Sequence, residues 1–219
     1  MKKLIVALLA LCPTLGMAQK NVWEIPDRPQ QQTIKKETKK VTPTVDKKYL
    51  AGAVPEVNGE VVFTLDKDVP GMSADSIYNK VYAVVSQIVE EGKSSDLQPA
   101  GRIAAVNRGE HSIAARLKEW LVFSSNFISL DRTVFNYTLV AHATNGHIHV
   151  TLDRISYAYE MGRKDTEGMK VKAEEWITDK YALNKKGNKL SRISGKFRCK
   201  TIDRKDNIFQ RIDAALGIR

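Results

Sequence analysis

TVFNYTLVAHATNGHIHVTLDRISYAY, residues 133–159, decides the fold. Asn145-Gly146 at its centre favours a two-residue hairpin turn of type I′. That turn sets residues 133–144 against residues 147–159, with Thr144 opposite His147, Ala143 opposite Ile148 and His142 opposite His149. One face of the pair then carries Leu139, Ala141, Ala143, Ile148, Val150 and Leu152. The other carries Thr138, His142, Thr144, His147, His149, Thr151 and Asp153. Side chains alternate along a strand, so this split predicts an antiparallel sheet with one face on a helix layer and the other in water.

The flanking sequence extends the pattern in both directions. Residues 59–68 alternate through Val61, Phe63 and Leu65 and read as a strand that Pro70-Gly71 breaks. Ser73 is a good helix N-cap, and Asp75 lies where the helix dipole favours an acid. Ile77, Val81, Val84, Val85 and Ile88 follow at helical spacing, widened by Tyr78 and Tyr82, until Gly92. A polar loop over 93–100 leads to a strand at 102–107 and a turn at Arg108-Gly109-Glu110. A further strand lies within 112–124, with a bulge or break expected near Lys118-Glu119. Beyond the hairpin, residues 173–182 predict a second helix with Trp176, Ile177 and Tyr181 on one side. Residues 184–200 read as basic and irregular, and 203–216 as a closing helix striped by Ile208, Phe209, Ile212 and Leu216 and ended by Gly217. The order β-α-β-β-β-β then C-terminal helices defines a two-layer α+β domain over 57–219, with residues 160–219 as a basic helical extension.

The N-terminus speaks to location. Lys2 and Lys3 precede the apolar run Leu4 to Leu11, and Gly16-Met17-Ala18 places small residues before Gln19. This predicts a signal peptide over 1–18, its apolar run being too short to span a bilayer, which takes roughly 20 residues. The expected product is exported, to the periplasm or the outer surface. Cys12 offers a lipid anchor as the alternative, but Leu11 stands where a lipobox usually has a small residue. Residues 19–56, with Pro26, Pro29, Pro43 and Gln30-Gln31-Gln32, bury too little to fold and read as a basic linker.

The net charge of +10 is uneven: residues 19–53 carry +4, residues 54–159 carry −3 and residues 160–219 carry +7. For an exported protein this points away from nucleic acid, toward an envelope protein or an anionic envelope component and a place peripheral to a membrane. Cleavage after Ala18 leaves Cys199 as the one cysteine, so no internal disulfide can form. Arg198 and Lys200 would lower its pKa if all three converge; otherwise it is an inert, partly buried thiol.

Gly59-Glu-Val-Val-Phe through Pro70-Gly71-Met-Ser-Ala-Asp-Ser-Ile-Tyr78 resembles a known family. So do Ala173-Glu-Glu-Trp-Ile-Thr-Asp-Lys-Tyr-Ala-Leu-Asn-Lys-Lys-Gly187 and Gly195-Lys-Phe-Arg-Cys-Lys-Thr-Ile-Asp203. The resemblance, over roughly residues 57–216, is to exported Bacteroidetes-type proteins built on a domain of unknown function with a TATA-binding-protein-like fold. It implies a curved antiparallel sheet with helices on one side, and no activity, since fold does not imply function.

Three groups of residues bear on chemistry. His142, His147 and His149 share one hairpin face and could hold Zn²⁺ or Cu²⁺, or could be a solvated face that uses histidine. Lys185, Lys186, Lys189, Arg192, Lys196, Arg198 and Lys200 form a basic stretch suited to an anionic surface, or a solvated helix junction. Trp120, Phe123, Phe127, Phe135 and Tyr137 could line a sheet–helix cleft for a small apolar or anionic ligand, or be core. No Gly-x-Ser-x-Gly, His-Glu-x-x-His, phosphate loop or Cys-x-x-Cys is present. The expectation is a non-enzymatic exported binding or interaction module without a resident cofactor. The alternatives are a ligand carrier and an enzyme of unrecognised type.

Overall fold

The hairpin adopts the expected register, with His142 against His149 and Thr144 against His147. The structure, a computed structural model, describes residues 45–93, 96, 97, 99–125, 130–160 and 168–218. The expected signal peptide, Cys12 and most of the stretch read as linker, as well as Phe127, lie outside them. The elements are β1 (Glu56–Val57), β2 (Glu60–Val61), β3 (Phe63–Asp68), α1 (Ala74–Lys93), β4 (Arg102–Asn107), β5 (Ser112–Ser125), β6 (Leu130–Thr144), β7 (His147–Tyr159), β8 (Met169–Lys172), α2 (Asp179–Ala182) and α3 (Ser194–Leu216). β1 and β2 form a small ladder, and the other strands form a six-stranded sheet ordered β3-β7-β6-β5-β4 with β8 beside β7. Every pairing is antiparallel. The outer edge of β7 is shared, β3 covering His147 to Leu152 and β8 covering Ser156 to Tyr159.

One sheet face carries both long helices. Ile77, Val81, Val85 and Ile88 of α1, and Phe197, Ile202, Ile208 and Ile212 of α3, are buried against Ile113, Leu139, Ile148, Val150 and Leu152. The helices are tied to each other by Arg211 on Glu91 and by Lys80, whose Nζ donates to the Ala215 carbonyl. Ser73 caps α1 as expected, its Oγ accepting from the Ser76 amide at 3.3 Å. The opposite face of the main sheet carries neither of these helices.

Several local expectations need correction. The Asn145-Gly146 turn is not type I′, which needs positive φ at both central residues; only Gly146 has it, at 74°. Tertiary contacts hold the tip instead: Val69 N donates to the Gly146 carbonyl, Gly146 N to the Met72 carbonyl, and Ala74 N to Asn145 Oδ1. β5 runs unbroken past Lys118-Glu119, and its irregularity falls between Val122 and Ser124. In β7 a bulge falls where Asn136 pairs with Ser156 but Thr138 pairs with Asp153. Arg154 sits there at φ 49°, and the buried positions shift from Ile148, Val150 and Leu152 to Ile155 and Tyr157. β8 was not expected.

The C-terminal third also differs. Residues 173–182 are not one helix, because Trp176 at φ −132° leaves helical geometry between a 3-10 turn at Ala173–Glu175 and α2. Ile177 is buried, but Tyr181 is 43% exposed. α3 begins at Ser194, so half of the stretch read as irregular is its first turns. At the other end, residues read as linker belong to the domain. Lys47–Tyr49 forms a 3-10 turn whose Lys48 and Tyr49 side chains both reach Asp203 of α3 at 2.7 Å, and the Gly52 amide donates to Asp179.

Candidate functional site

Strand register assembles a basic basin on the bare face of the sheet. Residues opposite one another lie in rows across the strands, about 4.8 Å apart from strand to strand. One row runs Arg102, Arg116, Thr138, Asp153. The next runs Lys118, Asn136, Ser156, Lys172, and a third Trp120, Val134, Ala158, Lys170. The β7 bulge adds Arg154, which lines the same depressions. Three adjoining depressions of about 350, 480 and 510 Å³ meet at Ser156, which lines them all.

The electrostatics of this basin are one-sided but not uniform. Among the described residues Arg102, Arg116, Arg154, Lys170 and Lys172 have no carboxylate at ion-pair distance, and the side chains of Asn136 and Ser156 have no hydrogen-bond partner. These cations thus surround the uncommitted neutral side chains of Asn136 and Ser156, with the Asp153 carboxyl opposite Thr138 and under the charge of Arg154. Glu60 and Glu175 stand on the rim, both exposed. At the far margin Arg132 stacks its guanidinium 3.6 Å from the Trp120 ring centroid, and Trp120 Nε1 donates to Asp96 at 2.6 Å.

The histidines lie on the same face at its other end. Pairing of β3 with β7 brings two aspartates to them: His149 Nδ1 is 2.7 Å from Asp66 Oδ2, and His147 Nδ1 is 2.9 Å from Asp68 Oδ1. The hydrogen bond from His149 holds the Asp66 carboxyl below its ordinary value, helped by the nearby charges of both histidines against partial desolvation. His142 faces His149 but makes neither contact. Among the described residues no group of three or more His, Cys, Asp or Glu side chains is placed to hold a metal ion. The geometry therefore gives the zinc or copper reading no support.

The basic stretch does not form one surface. Lys185, Lys186, Lys189 and Arg192 are exposed around a loop that the Asn184 side chain closes, its Oδ1 accepting from the Asn188 and Lys189 amides. Lys196 turns inward, its Nζ 2.7 Å from Asp131 and 4.6 Å from the ring centroids of Phe123 and Tyr159. Arg198 is fully buried, which removes it from any anion-binding surface. Lys200 is partly buried. Nor do Arg198 and Lys200 activate Cys199: burial and the Asp203 charge push the thiol up, against the pull of Arg198. Of the aromatics expected to line a cleft, Phe135 and Tyr137 are core, with ring centroids 4.7 Å apart, and Phe123 packs on Phe197 at 4.5 Å; Trp120 lies on the bare face under Arg132, and Phe127 lies outside the described residues.

A curved antiparallel sheet with its helices gathered on one side is the TBP-like architecture. Residues 63–158 match the family described as a domain of unknown function (DUF4468) with TBP-like fold. The chain is 41% identical to a DUF4468 family protein from Bacteroides ovatus, whose crystal structure superposes with a TM-score of 0.71 over 80% of this chain and 96% of that one. The protein belongs to the DUF4468 family. A TBP-like protein from Parabacteroides distasonis, 18% identical, shares the fold at a TM-score of 0.59 over 75% of this chain and 97% of that one. A comparison with curated proteins finds no match.

Proposed function

We propose that this protein is an exported, non-enzymatic binding module of the cell envelope and that it takes an anionic partner on the bare face of its sheet. The observation that carries the reading is the basin of Arg102, Arg116, Arg154, Lys170 and Lys172, without an ion-pair partner among the described residues, around Asn136 and Ser156, whose side chains have no hydrogen-bond partner among them. Cations left without counter-charges inside a protein's own surface repel one another, and an anionic ligand relieves that repulsion while forming charge-assisted hydrogen bonds. Binding rather than catalysis is favoured by what makes up the floor, namely guanidinium, ammonium, amide and hydroxyl groups suited to holding a ligand, with the carboxylates Glu60, Glu174 and Glu175 on the β8 side. Export rests on the charged, apolar and small-x-small pattern of residues 1–18.

The test compares capture of envelope components by immobilised wild type, an Arg116→Glu/Lys172→Glu variant, and a Lys185→Glu/Lys189→Glu variant with its reversals on the distant loop. The expected result is an anionic component retained by wild type and the loop variant and lost by the basin variant. Equal retention by the basin variant would overturn the reading.

A further inference from the structure

We infer that the ligand of this basin is a sparsely charged acidic oligosaccharide laid across the strands. The inference rests on the bare face being the binding site and names the chemistry that fits it. The first argument is extent. Three strand gaps separate β5 from β8, which puts Arg116 and Lys172 at least roughly 14 Å apart. A single phosphate or small carboxylate cannot engage both margins, whereas a chain can.

The second argument is the floor. Between the cationic margins lie Thr138, Asn136 and Ser156, a neutral strip that both donates and accepts. It matches a ligand whose body is hydroxylated and whose charges are spaced apart.

The third argument is the rim. Glu60, Glu174 and Glu175 border the same depression as Arg154 and Lys172, Glu174 accepting from the Val61 amide. Three carboxylates beside a densely charged polyanion, such as a nucleic acid strand, would oppose its binding. Toward a sugar they act as acceptors for hydroxyl groups.

An acidic peptide fits less well. Peptide interfaces draw their affinity from buried aromatic or aliphatic anchors or from added strands. The apolar lining of the third depression is Val134, Ala158 and Val171 with the buried Tyr157, which offers no deep pocket for an anchor side chain, and the nearby Trp120 ring is already covered by Arg132.

Isothermal titration calorimetry of the untagged chain beginning at Gln19 tests this, with a hyaluronan hexasaccharide (uronate alternating with neutral sugar), cellohexaose, hexaglutamate and inorganic phosphate as probes. The hyaluronan hexasaccharide should bind at least about tenfold more tightly than the other three, a margin that two or more charge-assisted hydrogen bonds supply. Arg116→Glu with Lys172→Glu should abolish that binding, and Lys185→Glu with Lys189→Glu should leave it. Arg116→Gln with Lys172→Gln, a milder change checked by circular dichroism, should weaken it without altering the fold. If hexaglutamate or phosphate binds as tightly and the basin variants abolish it, the oligosaccharide is wrong while the bare face stands as the site. If no anionic probe binds, or the basin variants leave hyaluronan hexasaccharide binding intact, both readings fall.

Discussion

Arg198 Nε donates to the carbonyl of Tyr49 at 2.7 Å, joining α3 to the 3-10 turn at Lys47–Tyr49. The same guanidinium donates to the carbonyls of Leu50 and Ile177 and to Asp179, and it is fully buried. One planar fork thus ties two other segments, residues 49–50 and 177–179, to α3. A lysine cannot reproduce it, because an ammonium lacks the fixed spread of donors. Arg198→Met should lower unfolding free energy by at least about 3 kcal/mol, since orphaned buried acceptors cost roughly 1–3 kcal/mol each. Arg198→Lys should lose less but in the same direction. Urea denaturation followed by far-UV circular dichroism checks both, and an unchanged midpoint in Arg198→Met would refute the clamp.

The hairpin tip holds α1 as well as its own strands. Asn145→Ala removes the acceptor for the Ala74 amide, and such a cap is worth about 1 kcal/mol. Gly146→Ala forces a side chain onto φ 74°, a left-handed conformation costing an L-residue about 1–2 kcal/mol. The double variant should lose less than the sum, because both act on one turn. Thermal melts of the three variants decide this; strict additivity would mean that the contacts at the tip are independent.

Two aspartates should titrate stability in opposite directions. Burial opposes the Asp203 charge, but the hydrogen bonds from Lys48 and Tyr49 win and hold its carboxyl below the ordinary value of 3.8. With the folded pKa depressed, its contribution is present above that value and is lost as pH falls through the folded pKa. Asp203→Asn should therefore destabilise at pH 7 and flatten the acid limb of the stability curve below about pH 4. Asp153 is the reverse: burial, with Glu60 adding to it against Arg154, raises its carboxyl. Its ionisation at neutral pH works against folding, so Asp153→Asn should raise the melting temperature at pH 7 and matter less in acid. Melting curves from pH 3 to 7 test the pair, and a fall in melting temperature for Asp153→Asn would reverse the assignment.

Cys199 should be slow to react. Its thiol is raised by burial and by Asp203, and the thiolate is the reactive form. Alkylation by iodoacetamide at pH 8 should be several-fold slower in the native protein than after denaturation in urea, as followed by intact mass. Equal rates would show an exposed, ordinary thiol.

These residues also show where sequence reading stops. The hairpin register was legible because Leu139 to Ala143 and Ile148 to Leu152 alternate without a fault. It failed to extend past Arg154, where a bulge at a positive-φ arginine carries no local signature. β8 was hidden because Met169–Lys172 is short and half charged, and acquires its strand character only from β7. Arg198 was misread because a cation within a basic run looks solvated, and nothing local reveals three carbonyls brought from elsewhere. The basin was invisible for a related reason. Arg102, Arg116, Arg154 and Lys172 are isolated in sequence, and only the strand order sets them side by side. The histidine corner was half legible: His147 and His149 were placed on one face, but Asp66 and Asp68 join them only once β3 is known to pair with β7.

The Arg198 fork also decides how the domain bears load. A pull on the N-terminal tail enters at Tyr49 and Leu50, where the guanidinium and the Asp203 contacts pass it to α3. The β7 ladder and the basin lie beyond that anchor point in the chain. Tension on a tethered copy would strain a helix-side clip before it strained the strands, so the face offered to a ligand would keep its shape while its tail is under strain.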